Sequence, residues 1–198
     1  TPTYRRGEAL ARCLRSLQAQ TWSNWTCTVY DDDPDGSAEK VCAALGDSRI
    51  RYHHNTPQHY ASKNIDQCFS ARNPQNADYF CVVEDDNSIL PAFFEDNIRI
   101  IRENAVEVVL RNQLIEHASG TPQARLSEGG ILDNLFREGV YAPEKFRLSL
   151  LVGIGVSNGG LFWTRHSRSR LEIGQFHTTA TLQEYMRTFS ICEPIYVA

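Results

Sequence analysis

The sequence predicts an α/β fold with a mainly parallel sheet flanked by helices. Through residues 1–110, short apolar stretches rich in β-branched and aromatic residues alternate with amphipathic stretches of helical period. This alternation is typical of parallel strands connected by helices. A length of 198 residues is enough for one domain with a proper core.

The elements of the first half follow from these patterns. In the first predicted helix, for example, Leu10, Leu14 and Leu17 lie on one face. Pro91 suits the first turn of the fourth helix. We expect strands at 25–30, 50–53, 79–83 and 105–110, and helices at 7–20, 37–45, 59–72 and 91–103.

The second half is less regular. Residues 116–127 are polar and rich in Gly, Pro and Ser, which predicts a long loop. We expect helices at 128–138 and 181–189 and strands at 160–164 and 195–197, whereas 148–156 fits either a strand or a buried helix. The domain therefore divides into residues 1–110 and a more irregular part, 111–198.

Composition excludes several classes of protein. The net charge of −4, without a basic run, argues against nucleic-acid binding. The longest apolar run, 148–156, is too short to span a bilayer. Six cysteines without a closely spaced pair indicate buried free thiols in a reducing cytoplasm. We expect a cytoplasmic protein. Peripheral attachment to the inner face of the membrane stays open, as does whether the chain is part of a longer polypeptide.

An apolar strand at 79–83 leads directly into three acids, Glu84, Asp85 and Asp86. In open α/β sheets, ligands bind beyond the carboxyl ends of the strands. Adjacent carboxylates repel each other, and Mg²⁺ or Mn²⁺ can bind one or two carboxylates together with substrate phosphates. The alternative is a solvated acidic turn that caps the next helix.

A second strand, 25–30, also ends in aspartates, Asp31 and Asp32. In a parallel sheet both acidic strand ends lie on the same edge. Asp35, a few residues later, is expected to cap the following helix.

With these motifs in order, the sequence resembles the family 2 glycosyltransferases, which have the GT-A fold with a Rossmann-like sheet and use nucleotide-sugar donors. Residues 2–6 are similar to the family's Pro-Thr-Tyr-Asn-Arg, and 14–20 to its Leu-x-Ser-Leu-x-x-Gln. Residues 29–37 resemble its Val-Val-Asp-Asp-Gly-Ser-x-Asp-Gly-Thr with one residue fewer, and 84–91 its Asp-x-Asp motif with the following proline. The resemblance is strongest over residues 1 to about 100.

The resemblance implies roles for the matching residues on the donor side. Asp31 or Asp32 would hydrogen-bond the base, and Asp86 is the best candidate for a metal ligand. Lys63 replaces an arginine, so it cannot form the same bidentate contact with the diphosphate or base. The remaining residues that would bind the nucleotide sugar are Pro2, Thr3, Tyr4, Arg6, Asn64, Glu84 and Asp85. Glu84 stands where the family has an aspartate.

The chemistry of sugar transfer requires two further features. A divalent cation, Mn²⁺ or Mg²⁺, stabilises the charge on the departing diphosphate, and a carboxylate must take the proton of the acceptor hydroxyl. Residues 181–187 resemble the family's acidic helix start and put Glu184 on the base position, with Gln183 replacing the first acid. The alternative is an exposed glutamate paired with Arg187 or Thr188, in which case Glu128 or Asp133 is the next candidate.

A glycine-rich turn and one histidine are further candidates for contact with the acceptor. Residues 158–160, Asn-Gly-Gly, are similar to the family's glycine-rich turn, where backbone can approach the sugar. His177 either contacts an acceptor or is an ordinary loop histidine.

We therefore expect an inverting, metal-dependent transferase that moves one sugar, from a UDP-sugar most readily, to a hydroxyl of a glycan, a lipid-linked acceptor or a small molecule. The Gln-x-x-Arg-Trp signature of processive relatives is missing from these residues. A nucleotidyltransferase is the first alternative, although residues 1–7 lack a Gly-rich, lysine-bearing phosphate loop. A catalytically silent binding module is the second, because Glu84 and Gln183 depart from the family pattern.

Overall fold

The computed structural model describes residues 1–174 and 179–198. In these ranges the strands are β1 (Pro2–Thr3), β2 (Cys27–Asp31), β3 (Ile50–His54), β4 (Tyr79–Cys81), β5 (Val108–Leu110), β6 (Glu116–His117), β7 (Arg125–Leu126), β8 (Gly139–Tyr141), β9 (Leu161–Thr164) and β10 (Ile195–Val197). The helices are α1 (Gly7–Gln18), α2 (Ala38–Leu45), α3 (Tyr60–Asp66), α4 (Phe93–Asn104), α5 (Pro143–Phe146) and α6 (Ala180–Ser190). Short 3₁₀ turns follow at Gln67–Phe69, Arg147–Val152 and Asn158–Gly160.

The strands form two main sheets that differ in direction. The first has the order β1-β2-β3 and is entirely parallel. The second has the order β4-β9-β5-β10-β8, in which only β5 and β10 pair in parallel. The α/β fold with a parallel sheet is thus confirmed, and the second sheet is mixed because β9, from the second half, inserts antiparallel between β4 and β5.

The core lies on both faces of the second sheet. Val109 packs in one apolar cluster with α1 and α4, whereas its neighbours Val108 and Leu110 pack in the other. Successive residues of a strand point to opposite faces, so a fully buried strand must be apolar on both sides. This explains the continuous apolar pattern of β5.

Most predicted elements of the first half are present, with small shifts at their ends. The predicted helix at 59–72 is shorter, because α3 ends at Asp66 and passes into a 3₁₀ turn. The cap expected from Asp35 is wrong: the Asp31 carboxylate accepts the backbone N–H of Ala38 at the start of α2 (2.8 Å), while Asp35 is exposed and pairs with Arg5.

The helix predicted at 128–138 is wrong. These residues form turns that lead into β8. The side chain of Asn112 accepts the backbone N–H of Leu132, and Asp133 accepts that of Gly130, so side chains take up backbone groups that a helix needs. The loop at 116–127 is present and carries the small β6–β7 pair, and 147–152 forms a 3₁₀ turn. Within the described residues, no helix is long and apolar enough to cross a bilayer.

Candidate active site

The turn between β1 and α1 joins the two acidic strand ends. Arg5 Nε lies 2.9 Å from Asp33 Oδ1, and the next residue, Arg6, places Nη1 2.5 Å from Asp86 Oδ2 and 3.4 Å from Asp85 Oδ1. Two consecutive arginines thus reach one acidic cluster each. The carboxyl ends of β2 and β4 therefore lie near each other beside this turn, although the two strands belong to different sheets and not to one parallel sheet as the sequence predicted.

Asp31 and Asp32 are both buried at this edge and bind backbone N–H groups. The Asp31 carboxylate accepts the N–H of Ala38 and the Tyr52 hydroxyl (3.2 Å). Asp32 accepts the N–H of Tyr60 at 2.6 Å, at the start of α3. These aspartates hold the loops of the edge in place. A hydrogen bond from either carboxylate to the base stays a prediction, and it would use lone pairs that the backbone N–H groups leave free.

The two residues of α3 singled out by the sequence have different environments. Asn64 is buried, and its amide donates to the backbone carbonyls of Thr3 (3.3 Å) and Tyr30 (3.2 Å), so it ties α3 to β1 and β2. Lys63 is exposed, as is Tyr4, whereas Pro2 and Thr3 are buried. Asn64 therefore positions the edge, while Lys63 presents its charge to solvent.

The three acids after β4 are held in three different ways. Asp85 is buried, and its carboxylate accepts the Thr3 hydroxyl at 2.7 Å, while Asp86 has a side chain 53% exposed. Burial, with the nearby charges of Asp86, Glu184 and Asp85, raises the pKa of Glu84 to about 7. Burial also raises the pKa of Asp85. Asp86 is thus the most accessible carboxylate of this motif.

Asp86 fits a divalent cation that is held mainly by substrate. Among residues 1–174 and 179–198, no three His, Cys, Asp or Glu side chains come together in a way that could hold a metal. Mg²⁺ and Mn²⁺ do not require such a group when substrate phosphates and water complete their coordination. One accessible carboxylate beside the edge satisfies that chemistry.

The glycine turn at Asn158–Gly160 brings the second half against this edge. A Cβ added to Gly159 would lie 2.8 Å from Asn87 Nδ2 and 3.6 Å from Glu84 Oε2. The backbone of the turn therefore approaches the acidic motif closely, and a larger residue at 159 would have to displace the Asn87 side chain.

Glu184, in α6, faces the same turn. Its Oε1 accepts the backbone N–H of Asn158 at 3.2 Å, and the side chain is partly buried. Burial raises its pKa, and the Asn158 N–H and the Arg187 charge act in the opposite direction. Arg187 pairs with Asp66, so the alternative of an exposed Glu184 paired with Arg187 is wrong. The charge of Glu184 helps to raise the pKa of Glu84, so the two carboxylates lie near each other.

The other candidate bases lie elsewhere. Glu128 and Asp133 line a shallow cavity of about 190 Å³, and Asp133 is engaged with Asn112 (2.5 Å) and with the N–H of Gly130. His177 lies outside the described residues. A larger cleft, about 320 Å³, adjoins Glu184. Its lining residues are Ile131, Gly153, Ile154, Gly155, Ser157, Thr181, Glu184 and Tyr185.

Sequence reasoning missed the buried ion pair between Asp66 and Arg187. Asp66 follows an amphipathic pattern in which an acid is normally solvent-facing, and no local signal distinguishes it. Gln183, which replaces the first acid of the family's pair, is buried and donates to the backbone carbonyl of Ser62 at 2.8 Å. Its role in the structure is to attach α6 to α3.

The parallel first sheet, its acidic carboxyl edge and the facing glycine turn define a glycosyltransferase of GT-A type. The family model described as "Glycosyl transferase family 2" matches residues 1–180, and the chain belongs to this family. No curated protein matches the sequence.

Solved structures of S. aureus TarS share the fold. The crystal structure of TarS is 14% identical with a TM-score of 0.73, and that of TarS 1–349 in complex with UDP-GlcNAc is 15% identical with a TM-score of 0.71. The complex of TarS 1–349 with UDP is also 15% identical, with a TM-score of 0.67. Each covers all of this chain, which spans 34%, 54% and 56% of those chains, respectively.

Proposed function

We propose that the chain transfers a single sugar from a UDP-sugar to an acceptor hydroxyl, with inversion at the anomeric carbon and with Mn²⁺ or Mg²⁺. One observation carries this proposal: the glycine turn at 158–160 is bound by Glu184 through the Asn158 N–H and lies close to Asn87 and Glu84 of the acidic motif. Transfer with inversion needs a base and a departing diphosphate near one sugar, and this turn brings the two candidate groups together. In this division, residues 1–110 bind the donor and 111–198 provide the acceptor wall and the base.

The donor would lie along the edge formed by β1, β2 and β4. Asp31 or Asp32 would hydrogen-bond the base, and Glu84 and Asp85 would lie near the ribose. Lys63 and Arg6 are the exposed cations that could approach the diphosphate, and Arg6 already reaches across to Asp85 and Asp86. The UDP and UDP-GlcNAc complexes of TarS favour a uridine donor.

Asp86 would be the protein ligand of the cation, which when bound neutralises charge on the departing diphosphate. Arg6 contacts the same carboxylate. Arg6 and the cation would therefore share the Asp86 carboxylate or compete for it.

Glu184 would accept the proton of the attacking hydroxyl. Its carboxylate is held by the Asn158 N–H through Oε1, which leaves the other oxygen for the acceptor. A carboxylate whose pKa is raised by burial is a stronger base than an exposed one. Attack from this side, opposite the diphosphate, inverts the anomeric centre.

The acceptor would enter the cleft beside Glu184. Its volume of about 320 Å³ lies at the lower end of ligand pockets, which suits one or two sugar units or a small polyol. Apart from Glu184, the residues lining it carry no charge. The cleft therefore favours a neutral hydroxyl group at the point of transfer over a phosphate.

The test is release of UDP from a panel of UDP-sugars, with Mn²⁺, with Mg²⁺ and with a chelator. We expect cation-dependent release from at least one donor, increased by a neutral sugar acceptor. Binding of UDP without release from any donor would favour a silent binding module. Formation of a UDP-sugar from UTP and a sugar phosphate would indicate a nucleotidyltransferase.

A further inference from the structure

A fully buried arginine lies directly behind the proposed base. Arg187 Nη2 is 2.7 Å from Asp66 Oδ1, and Nη1 donates to Asn158 Oδ1 at 2.7 Å. The guanidinium carbon lies 3.9 Å from the centre of the Phe69 ring. The partners of Nη1 and Nη2 are thus both protein side chains, Asn158 and Asp66.

This ion pair holds several segments together. Arg187 Nε donates to the backbone carbonyl of Leu171 at 3.0 Å. The Asp66 carboxylate accepts the backbone N–H groups of Ile173 (2.9 Å) and Gly174 (2.8 Å). Through these contacts α3, α6, the turn at 158–160 and the segment 171–174 share one charged centre.

Asn158 connects this centre to Glu184. Its side-chain oxygen accepts from Arg187, while its backbone N–H donates to Glu184 Oε1. Arg187 follows Glu184 by three residues on α6, so both side chains lie on the same face of the helix. Arg187 therefore acts on Glu184 through Asn158 and through its charge, without direct contact in the described structure.

Stability alone does not require an ion pair at this position. Burying two charges costs desolvation energy, and well-packed apolar side chains of similar volume are often as stable or more stable. A buried pair does, however, fix direction and distance, since its hydrogen bonds allow only one arrangement. This property is useful where a neighbouring carboxylate must be held in place.

We propose that Arg187, paired with Asp66, is the positioning residue for Glu184: it fixes the Asn158 turn that orients the Glu184 carboxylate. This inference rests on the proposed role of Glu184 as base. It assigns to the buried pair a function in turnover in addition to one in folding.

The charged groups that face Glu184 in the described residues make the inference measurable. They are Arg187 on its own helix and Glu84 beyond β4, with Asp66 behind Arg187. The positive charge of Arg187 lowers the pKa of Glu184. Removing that charge raises the pKa of Glu184. The acid limb, meaning the rise of turnover with pH on the acidic side of its optimum, therefore moves to higher pH.

The test is the double variant Asp66→Asn/Arg187→Gln, which removes both charges and retains hydrogen-bonding groups. We expect turnover to fall about 10–100-fold, because the base loses its orientation, while UDP affinity stays within about threefold. The acid limb should move to higher pH. Turnover is followed by UDP release, and affinity by calorimetry.

A matched control uses another ion pair of the same chemistry. Arg49 Nη2 lies 2.7 Å from Asp47 Oδ2, in the loop before β3. The variant Asp47→Asn/Arg49→Gln removes that pair and should leave the acid limb unmoved. If both double variants change turnover alike and neither moves the limb, the Asp66–Arg187 pair is only structural and the inference is wrong.

Asn158→Ala tests the connection even if the double variant does not fold. It removes the side-chain acceptor of Arg187 and leaves the ion pair intact, so turnover should fall about tenfold with UDP affinity unchanged. Wild-type turnover in Asn158→Ala would overturn the inference. Glu184→Gln, assayed in parallel, separates the two proposals. A fully active Glu184→Gln refutes both the role of Glu184 as base and the positioning role of Arg187. An inactive Glu184→Gln together with a fully active Asn158→Ala refutes only the positioning role.

Discussion

At the donor edge, Asp31 and Asp32 accept backbone N–H groups from Ala38 and Tyr60, only 7 and 28 residues further along the chain. On the acceptor side, Arg187 pairs with Asp66 across 121 residues. The loop at Asp31 is closed by its own turn, although the edge also has long-range contacts such as Thr3 to Asp85, whereas the acceptor side is held by a buried ion pair. The donor half can therefore be recognised from local motifs, whereas the acceptor half depends on how distant segments meet.

The two halves also differ in their surfaces. Of the fourteen exposed large apolar side chains in residues 1–174 and 179–198, eleven lie after residue 110, among them Leu151 and Phe189. Leu151 lies in the 3₁₀ turn that packs beside α6, close to the cleft at Glu184. The second half thus presents more exposed apolar side chains than the first, where Tyr4, Tyr60 and Leu90 are exposed.

Asp86→Ala should have the largest effect, the loss of cation-dependent turnover. Asp86 is half-exposed beyond β4, so its removal leaves the core intact and the thermal midpoint nearly unchanged. The measurement is UDP release against Mn²⁺ concentration. Asp96→Ala, an exposed acid on α4 paired with Arg99, is the matched control and should behave as wild type. Full activity of Asp86→Ala at saturating Mn²⁺ removes this residue from the cation site.

Glu184→Gln tests the acceptor half and should lower turnover by about 10²–10⁴, because the amide keeps the shape and loses the basicity. UDP affinity should be unchanged, since the residues proposed to bind the donor are at the ends of β1, β2 and β4. Glu128→Gln and Asp133→Asn serve as controls and should remain active. NMR of the product should show inversion, and a retained anomeric configuration would contradict the mechanism.

Asp31→Asn and Asp32→Asn sharpen the description of the donor edge. The variant at the residue that contacts the base should weaken UDP binding by about 1–3 kcal/mol, and both should lower the free energy of unfolding, because each carboxylate accepts buried backbone N–H groups. Calorimetry with UDP and denaturant unfolding measure the two effects. If both variants bind UDP as tightly as wild type, neither residue contacts the base.

The smallest effect concerns pH and the donor edge alone. Hydrogen bonds from the Ser37 hydroxyl and from Arg5 lower the pKa of Asp33 from 3.8 to about 2. A carboxyl group whose pKa is lower in the folded state stabilises the fold at pH values above its unfolded-state pKa. This stabilisation is lost as the pH falls toward the folded-state pKa. The thermal midpoint should therefore fall between about pH 4 and pH 2, and less steeply in Asp33→Asn. Identical slopes for the two proteins would show that Asp33 does not contribute.

The fold was predictable where local pattern and tertiary environment agree. Helices α1 and α4 have an apolar stripe that packs into the core, and both were predicted within a few residues. The helix predicted at 128–138 failed because Asn112, outside that segment, takes the backbone N–H of Leu132. A side chain from another part of the chain is not visible in a local pattern.

The sequence by itself determined the family, the α/β class and the two acidic strand ends, since these depend on residues close together in the chain. It also named Glu184 as the candidate base. Only the tertiary structure decided that Glu184 faces the Asn158 turn and that Arg187 pairs with Asp66. The reason is physical: a buried charge must find its partner anywhere in the fold, and the identity of that partner depends on packing between segments far apart in sequence.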